Sequence, residues 1–258
     1  MNKLGWRLGF QAYTFRDFTL FETIDMSVSM GLNVMEIYPT QRLSPQSPDA
    51  KFFHHSPEDM LEAVREKCAQ AGVTLVNYGC VRLSTDETEM RAVFEFAKKM
   101  GIETIVSEPE LDAFDLIDQY CQKYGINVAL HNHPEPSIYW NPDTVVKMCE
   151  GRSKYLGACA DTGHWVRSNI DPVEGLKKLE GRIISLHLKD LVDVSAHSTD
   201  VPLGKGLAKT KEVLAELKRQ DCKPVFSIEY EVHDNEKLYD EVAECVSFFN
   251  QACDELSN

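Results

Sequence analysis

Short apolar runs alternate with longer amphipathic ones from one end of the chain to the other, the pattern of successive βα units feeding a parallel sheet. It predicts eight strands, over 6–13, 33–38, 73–82, 103–107, 126–130, 155–160, 183–188 and 224–230, each followed by a helix. Glycines that close helices just before a strand, at Gly31, Gly72, Gly101, Gly125 and Gly181, fit left-handed caps and short return loops. Helix starts are equally marked: Ser56-Pro57-Glu58, with Ser56 able to cap, then Asn141-Pro142-Asp143 and Asp171-Pro172. The long loops fall after strands two and seven, and the second contains Gly204 and Gly206.

Length agrees with this pattern, because 258 residues match the roughly 250 of one (β/α)8 barrel. With no linker or compositional shift, the expected fold is α/β, a single TIM barrel domain over 1–258. A composition of 43% hydrophobic and 26% charged residues is that of an ordinary globular chain. The net charge of -14 disfavours a nucleic-acid partner, which needs clustered lysine and arginine. No apolar run approaches the roughly 18 residues of a membrane span, so no membrane partner is expected. The N-terminus lacks the long apolar stretch of a signal peptide, so a cytoplasmic location is expected, with a periplasmic one open if a leader had been removed. Eight cysteines without CxxC spacing read as small core residues and not as a zinc ribbon or disulfide framework. Oligomeric state is left open, a homo-oligomer included.

In a barrel of this type the site is built from the C-terminal ends of the strands. Those ends carry Gln11 and Tyr13, Glu36 and Tyr38, Asn77 and Tyr78, Glu108, His131 and His133, Asp161 and His164, His187 and Lys189, and Glu229 and Glu231. Such groups are costly to bury unpaired, so their recurrence at one rim points to a polar pocket. Within the set, His131, Asp161, His187 and Glu229 come from four adjacent strands, and each is the first polar residue after an apolar run. Two imidazoles and two carboxylates suit one divalent transition metal, Mn²⁺, Co²⁺ or Zn²⁺, better than Ca²⁺, which prefers an all-oxygen shell. Taken singly, each residue is equally well a salt bridge or a cap; the four together make the metal reading.

The stretches ALHNHPE at 129–135, DTGHW at 161–165, HLKD at 187–190 and SIEYE at 227–231 closely resemble the xylose isomerase-like TIM-barrel superfamily, in its bacterial sugar phosphate isomerase/epimerase branch. The resemblance covers essentially the whole chain and implies one divalent ion, often Mn²⁺, held by side chains of strands five to eight. Asp161, His187 and Glu229 match family ligands, and His164 matches a histidine lining the substrate pocket. At strand five the sequence departs from the pattern, since the sugar 3-epimerases carry Glu where His131 stands. The two-carboxylate acid/base scheme of those enzymes therefore does not carry over intact.

The expected activity is a metal-dependent sugar isomerase or epimerase, acting on a small-molecule sugar or keto-sugar by proton abstraction next to a carbonyl and a metal-stabilised enediolate. Glu229 is the expected base and Lys189 the group that stabilises oxyanion charge or moves protons; a surface Lys189 paired with Asp190 is the bland alternative. Glu108, His133 and His164 are expected to touch hydroxyls, and Glu36, Tyr13, Tyr78 and Trp165 to line the sugar, although aromatic stripes are more often plain packing. A metal-dependent 3-keto-glycoside lyase or hydrolase is the runner-up, followed by a noncatalytic sugar-binding barrel. A nuclease of the endonuclease IV type would need more ligands and a basic surface. His54, His55 and His233 are further candidates for a second ion or for sugar contact, and the LGKG at 203–206 lacks phosphate-loop spacing.

Overall fold

The strands are buried on both faces, as a parallel sheet covered by helices requires: Val34–Ile37, Thr104–Ser107, Leu156–Asp161 and Val225–Ile228 have no exposed position. In this computed structural model, which describes residues 3–195, 197–232 and 235–257, strands one to eight are Arg7–Phe10, Val34–Ile37, Thr74–Val81, Thr104–Ser107, Asn127–His131, Leu156–Asp161, Ile183–Leu188 and Val225–Ile228. They form one sheet of eight in the order 1-8-7-6-5-4-3-2, with a parallel bridge between Gln11 and Glu36 just beyond strands one and two. This is a TIM barrel, with the strands where the alternating pattern predicts them, except that strand one stops at Phe10 and Ala12–Phe15, with Tyr13, forms a short 3-10 helix instead of continuing it.

The helices follow the same logic. Glu87–Met100 buries Met90, Val93, Phe94, Phe96, Ala97 and Met100, apolar positions that recur every three to four residues, so one broad stripe faces inward. Its first turn is capped by the Asp86 carboxylate, which accepts from the N–H groups of Thr88 and Glu89, and Gly101 ends it at φ 71°. Two expectations need correction. Ser56 does not cap the second helix, Glu58–Ala71; Pro57 holds the cap position with no side-chain bond, and the Ser56 hydroxyl instead accepts from the Phe53 N–H. The helix that Asp171 and Pro172 open is not the first after strand six, because a short helix, Thr162–Arg167, starts directly at the strand's end. The long loops carry small antiparallel pairs, Gln41–Ser44 with Ser47–Phe52 and Asp190–Leu191 with Asp200–Val201.

Packing groups the residues into two units. One comprises Gly9–Leu130 and Gly151–Leu156, and its aromatic core runs from Phe52 through Phe96 to Tyr78. The other comprises His131–Glu150, Gly157–Asn258 and the chain up to Leu8. Its core stacks Trp6, Phe226 and Phe249, with the Trp6 indole N–H donating to the Cys222 carbonyl. All eight cysteines lie outside disulfides and are buried or half-buried, as small core residues should be. Among the described residues, no helix is long and apolar enough to cross a membrane. His233 lies outside the described residues.

Candidate metal centre

Strand register brings the central side chains together. Strands six and seven pair with Asp161 opposite His187, and strands seven and eight with His187 opposite Ser227, two residues before Glu229. Side chains two apart on a strand share a face, so Asp161, His187 and Glu229 project to the same side. Two reciprocal clamps fix the strand ends. Asn132 donates to the Asp161 carbonyl and accepts from its N–H, at 3.0 and 2.8 Å. The Thr162 hydroxyl does the same for Lys189, at 2.8 and 3.1 Å.

His131, Asp161, His187 and Glu229 are buried, and one donor atom from each lies within 4.8 Å of the others. His187 Nδ1 stands 3.1 Å from both His131 Nε2 and Glu229 Oε2, and Asp161 Oδ2 lies 3.8 Å from His131 Nε2 and 3.9 Å from His187 Nδ1. Ligand bonds of about 2.0–2.2 Å to one ion place donors roughly 3.0–3.5 Å apart, so the cluster is close to a one-ion shell. The Asp161 carboxylate decides the fit. Its Oδ1 accepts the His164 N–H at 2.7 Å, but its Oδ2, fully buried, has no hydrogen-bond partner. A buried acceptor without a partner costs about 1–3 kcal/mol, more if charged, unless something else fills the position. These four residues could hold a divalent metal.

Lys189 completes the electrostatics. Fully buried, its Nζ lies 2.6 Å from Glu231 Oε2, 3.2 Å from Glu229 Oε2 and 3.7 Å from Asp161 Oδ2. Burial disfavours its charge, yet Glu229, Asp161 and Glu231 outweigh that and hold its pKa above the ordinary lysine range. For Asp161, burial pulls upward, but Lys189 and His131 keep the carboxyl well below the usual range. Glu229 is held low in the same way, against burial, by Lys189 and His187. Asp190 does not pair with Lys189; its carboxylate accepts from the N–H groups of Gly204, Gly206 and Ala208 and so holds the LGKG loop. Three carboxylates against one ammonium leave two negative charges around the cluster, the charge that one divalent ion neutralises.

A model of the xylose isomerase-like TIM barrel family matches residues 24–248. The chain belongs to that family. An uncharacterised protein from Parabacteroides distasonis is 33% identical over 96% of this chain and 99% of its own, with a TM-score of 0.77. A D-tagatose 3-epimerase-like protein (21% identity, 95% and 98% coverage, TM-score 0.72) and the IOLI protein with a binding zinc atom (18%, 95% and 96%, TM-score 0.70) share the fold. No curated protein matches the chain.

In this xylose isomerase-like barrel the DTGHW stretch can be read residue by residue. Asp161 ends the strand and caps the short helix, and Thr162 clamps strand seven. Gly163 makes room, since a Cβ there would come within 2.5 Å of Lys189 Cγ and 2.8 Å of its Cβ, so Lys189 passes directly over bare backbone. His164 is buried, with Nδ1 3.1 Å from an Arg167 guanidinium nitrogen, so Nδ1 must accept and Nε2 carries the proton. Burial first, then Lys189, hold its pKa well below the ordinary value, and its Nε2 lies 3.8 Å from Asp161 Oδ2. Trp165 is buried with its ring against Gly175. His133 is exposed, with Nδ1 3.3 Å from His131 Nδ1.

The remaining candidates belong to the other unit. Glu36 is buried there between Gln11 Nε2 at 3.3 Å and Asn77 Nδ2 at 3.2 Å. Tyr78 is buried with its hydroxyl 2.9 Å from His54 Nδ1. Tyr13, 40% exposed, stands edge-on to Tyr38, and Glu108 is half-buried just beyond strand four. Sequence reasoning placed Glu231 at a strand end without a role, and it did not single out Gly163, Thr162, Asn132, Arg167 or Asp200. Arg167 pairs with Asp200 at 3.1 Å, and Asp200 also accepts the Glu231 N–H at 2.7 Å, which fixes the acid that meets Lys189; burial pushes the Asp200 carboxyl up to about 6. Only the i, i+2 spacing of Glu229 and Glu231 signalled any of this.

Proposed function

We propose that the chain is a metal-dependent sugar isomerase or epimerase that removes a proton next to a carbonyl and passes through an enediolate. The observation that carries the reading is the fully buried Lys189, with three carboxylates within 3.7 Å beside four residues that could hold an ion. A divalent ion bound by His131, Asp161, His187 and Glu229 would supply Lewis-acid polarisation of a substrate oxygen. Mn²⁺ is the first candidate, with Co²⁺ and Zn²⁺ also compatible with the donor set.

The chain's own residues divide the remaining work. Glu229 takes the proton, its carboxylate kept ionised by Lys189 and His187. Lys189, held as ammonium, donates to oxyanion charge as it develops instead of acting as a base. His164, with its proton on Nε2, is a neutral hydrogen-bond donor to a substrate hydroxyl. Glu36, Tyr13, Tyr78, Glu108, His133 and Trp165 are proposed as sugar contacts or as their support.

A second reading, a lyase or hydrolase acting on a 3-keto-glycoside, has its own support. His131 occupies the position where a second carboxylate base would be needed for two-sided epimerisation, and Lys189 is a protonated acid that can serve a departing group. NMR of candidate sugars in D₂O separates the readings. Deuterium entry or epimer formation, lost in Glu229→Gln, is expected for the first, and release of an aglycone from a keto-glycoside for the second. Ligand binding with neither outcome identifies a noncatalytic sugar-binding barrel.

A further inference from the structure

We propose that His54, His55 and Glu89 form a second binding site for a divalent transition metal of the zinc class, separate from the four-residue centre and independent of the activity assigned to it. One donor atom from each lies within 4.8 Å of the others. His55 Nε2 is 2.8 and 3.1 Å from the two oxygens of Glu89, and His54 Nε2 is 3.3 Å from Oε2 of the same carboxylate. The imidazoles lie side by side, ring centres 4.6 Å apart, with both Nε2 atoms turned to one acid. A tetrahedral zinc ion with bonds of about 2.0–2.2 Å sets its donors roughly 3.3–3.5 Å apart. The observed spacings therefore need only small movements of the half-exposed His55 and Glu89 side chains.

The surroundings support binding more than a chance salt bridge. His54 is held through its other ring nitrogen, Nδ1, by the buried Tyr78 hydroxyl at 2.9 Å, which leaves Nε2 as the ligand atom. An imidazole oriented through its second nitrogen is the usual arrangement around a bound metal. Phe53 stands edge-on to both imidazoles, at 5.6 and 5.7 Å, and its backbone N–H is tied to the Ser56 hydroxyl. Glu89 is in the first turn of Glu87–Met100, and the Asp86 cap accepts its N–H. Two imidazoles and one carboxylate leave a coordination position open to water or a ligand oxygen, so the ion would pin the segment after Ser47–Phe52 to this helix while staying accessible.

Equilibrium dialysis of the full chain against a saturating excess of free Zn²⁺, with metal counted per chain, tests the proposal. His55→Ala and Glu89→Gln should each bind one zinc ion fewer than the parent. His187→Ala should lose a different equivalent, and His55→Ala/His187→Ala should lose both. Tyr78→Phe should weaken the second site by about 10- to 100-fold, the range for lost outer-shell partners. If His55→Ala and Glu89→Gln hold as many ions as the parent, the second site is refuted. If they lose one while His187→Ala loses none, the second site stands and the four-residue reading fails.

Discussion

Two carboxylates buried at strand ends, Glu36 in one packing unit and Asp161 in the other, are treated in opposite ways. Glu36 receives hydrogen bonds from the neutral amides of Gln11 and Asn77, one to each oxygen. Asp161 is satisfied on one oxygen and has no hydrogen-bond partner on the other, which lies among the imidazoles of His131, His164 and His187 and the ammonium of Lys189. Burial alone therefore does not mark a metal centre. What marks it is an acceptor left open beside two imidazoles and a second carboxylate that can offer lone pairs, a configuration that raises the energy of the metal-free protein and is relieved by a cation.

The contrast can be broken at either end. The largest effect is expected from Asp161→Asn or His187→Ala, which should lower divalent-metal affinity by more than about 100-fold, beyond the range for outer-shell changes, whereas Glu36→Gln should leave metal content at the parent's level; calorimetric titration reads all three. Next, Lys189→Met removes the cation facing Asp161, Glu229 and Glu231 and should destabilise the metal-free protein by about 3–5 kcal/mol, the cost of breaking a buried ionic cluster. Urea unfolding should show part of that loss regained on adding metal. Gly163→Ala forces a Cβ against the buried stem of Lys189 and should cost about 1–3 kcal/mol by overpacking, together with activity. Ser29→Ala, at an exposed position, should be nearly silent in unfolding measurements.

The smallest effect concerns pH. The carboxyls of Asp161 and Glu229 have folded pKa values below their unfolded ones. The unfolded chain thus takes up protons first as pH falls, and the stability these groups contribute is present above about pH 4 and lost as pH drops through their folded values. Acid unfolding of the metal-free protein followed by circular dichroism should shift toward neutral pH in Lys189→Met, where the group that depresses both is gone.

The barrel was legible in the sequence because its strands are short, mostly apolar runs and the helices Glu58–Ala71, Glu87–Met100 and Phe114–Tyr124 end in a left-handed glycine, two signals that act locally. The four-residue cluster was legible because each member stands at the end of a largely apolar strand, so strand register alone brings Asp161 and His187 together. The short helix Thr162–Arg167 was not legible. Its six residues include Gly163 and directly follow Asp161, which is at once strand end and cap, so no periodicity can develop. Ser56 misled because a hydroxyl beside Pro57 had a second acceptor role, toward the Phe53 N–H, that the cap motif does not reveal. The parts of Glu231, Arg167 and Asp200 depend on where long side chains reach across a loop, which spacing along the chain does not encode.

The most direct measurement is anomalous X-ray scattering at the manganese or zinc edge from crystals grown with the ion. A strong peak is expected within about 2.0–2.2 Å of His131 Nε2, Asp161 Oδ2, His187 Nδ1 and Glu229 Oε2, distinct from any second peak at His54, His55 and Glu89. Density at that position without anomalous signal, or the four donors pointing to separate places while the ion binds elsewhere, would contradict the metal centre.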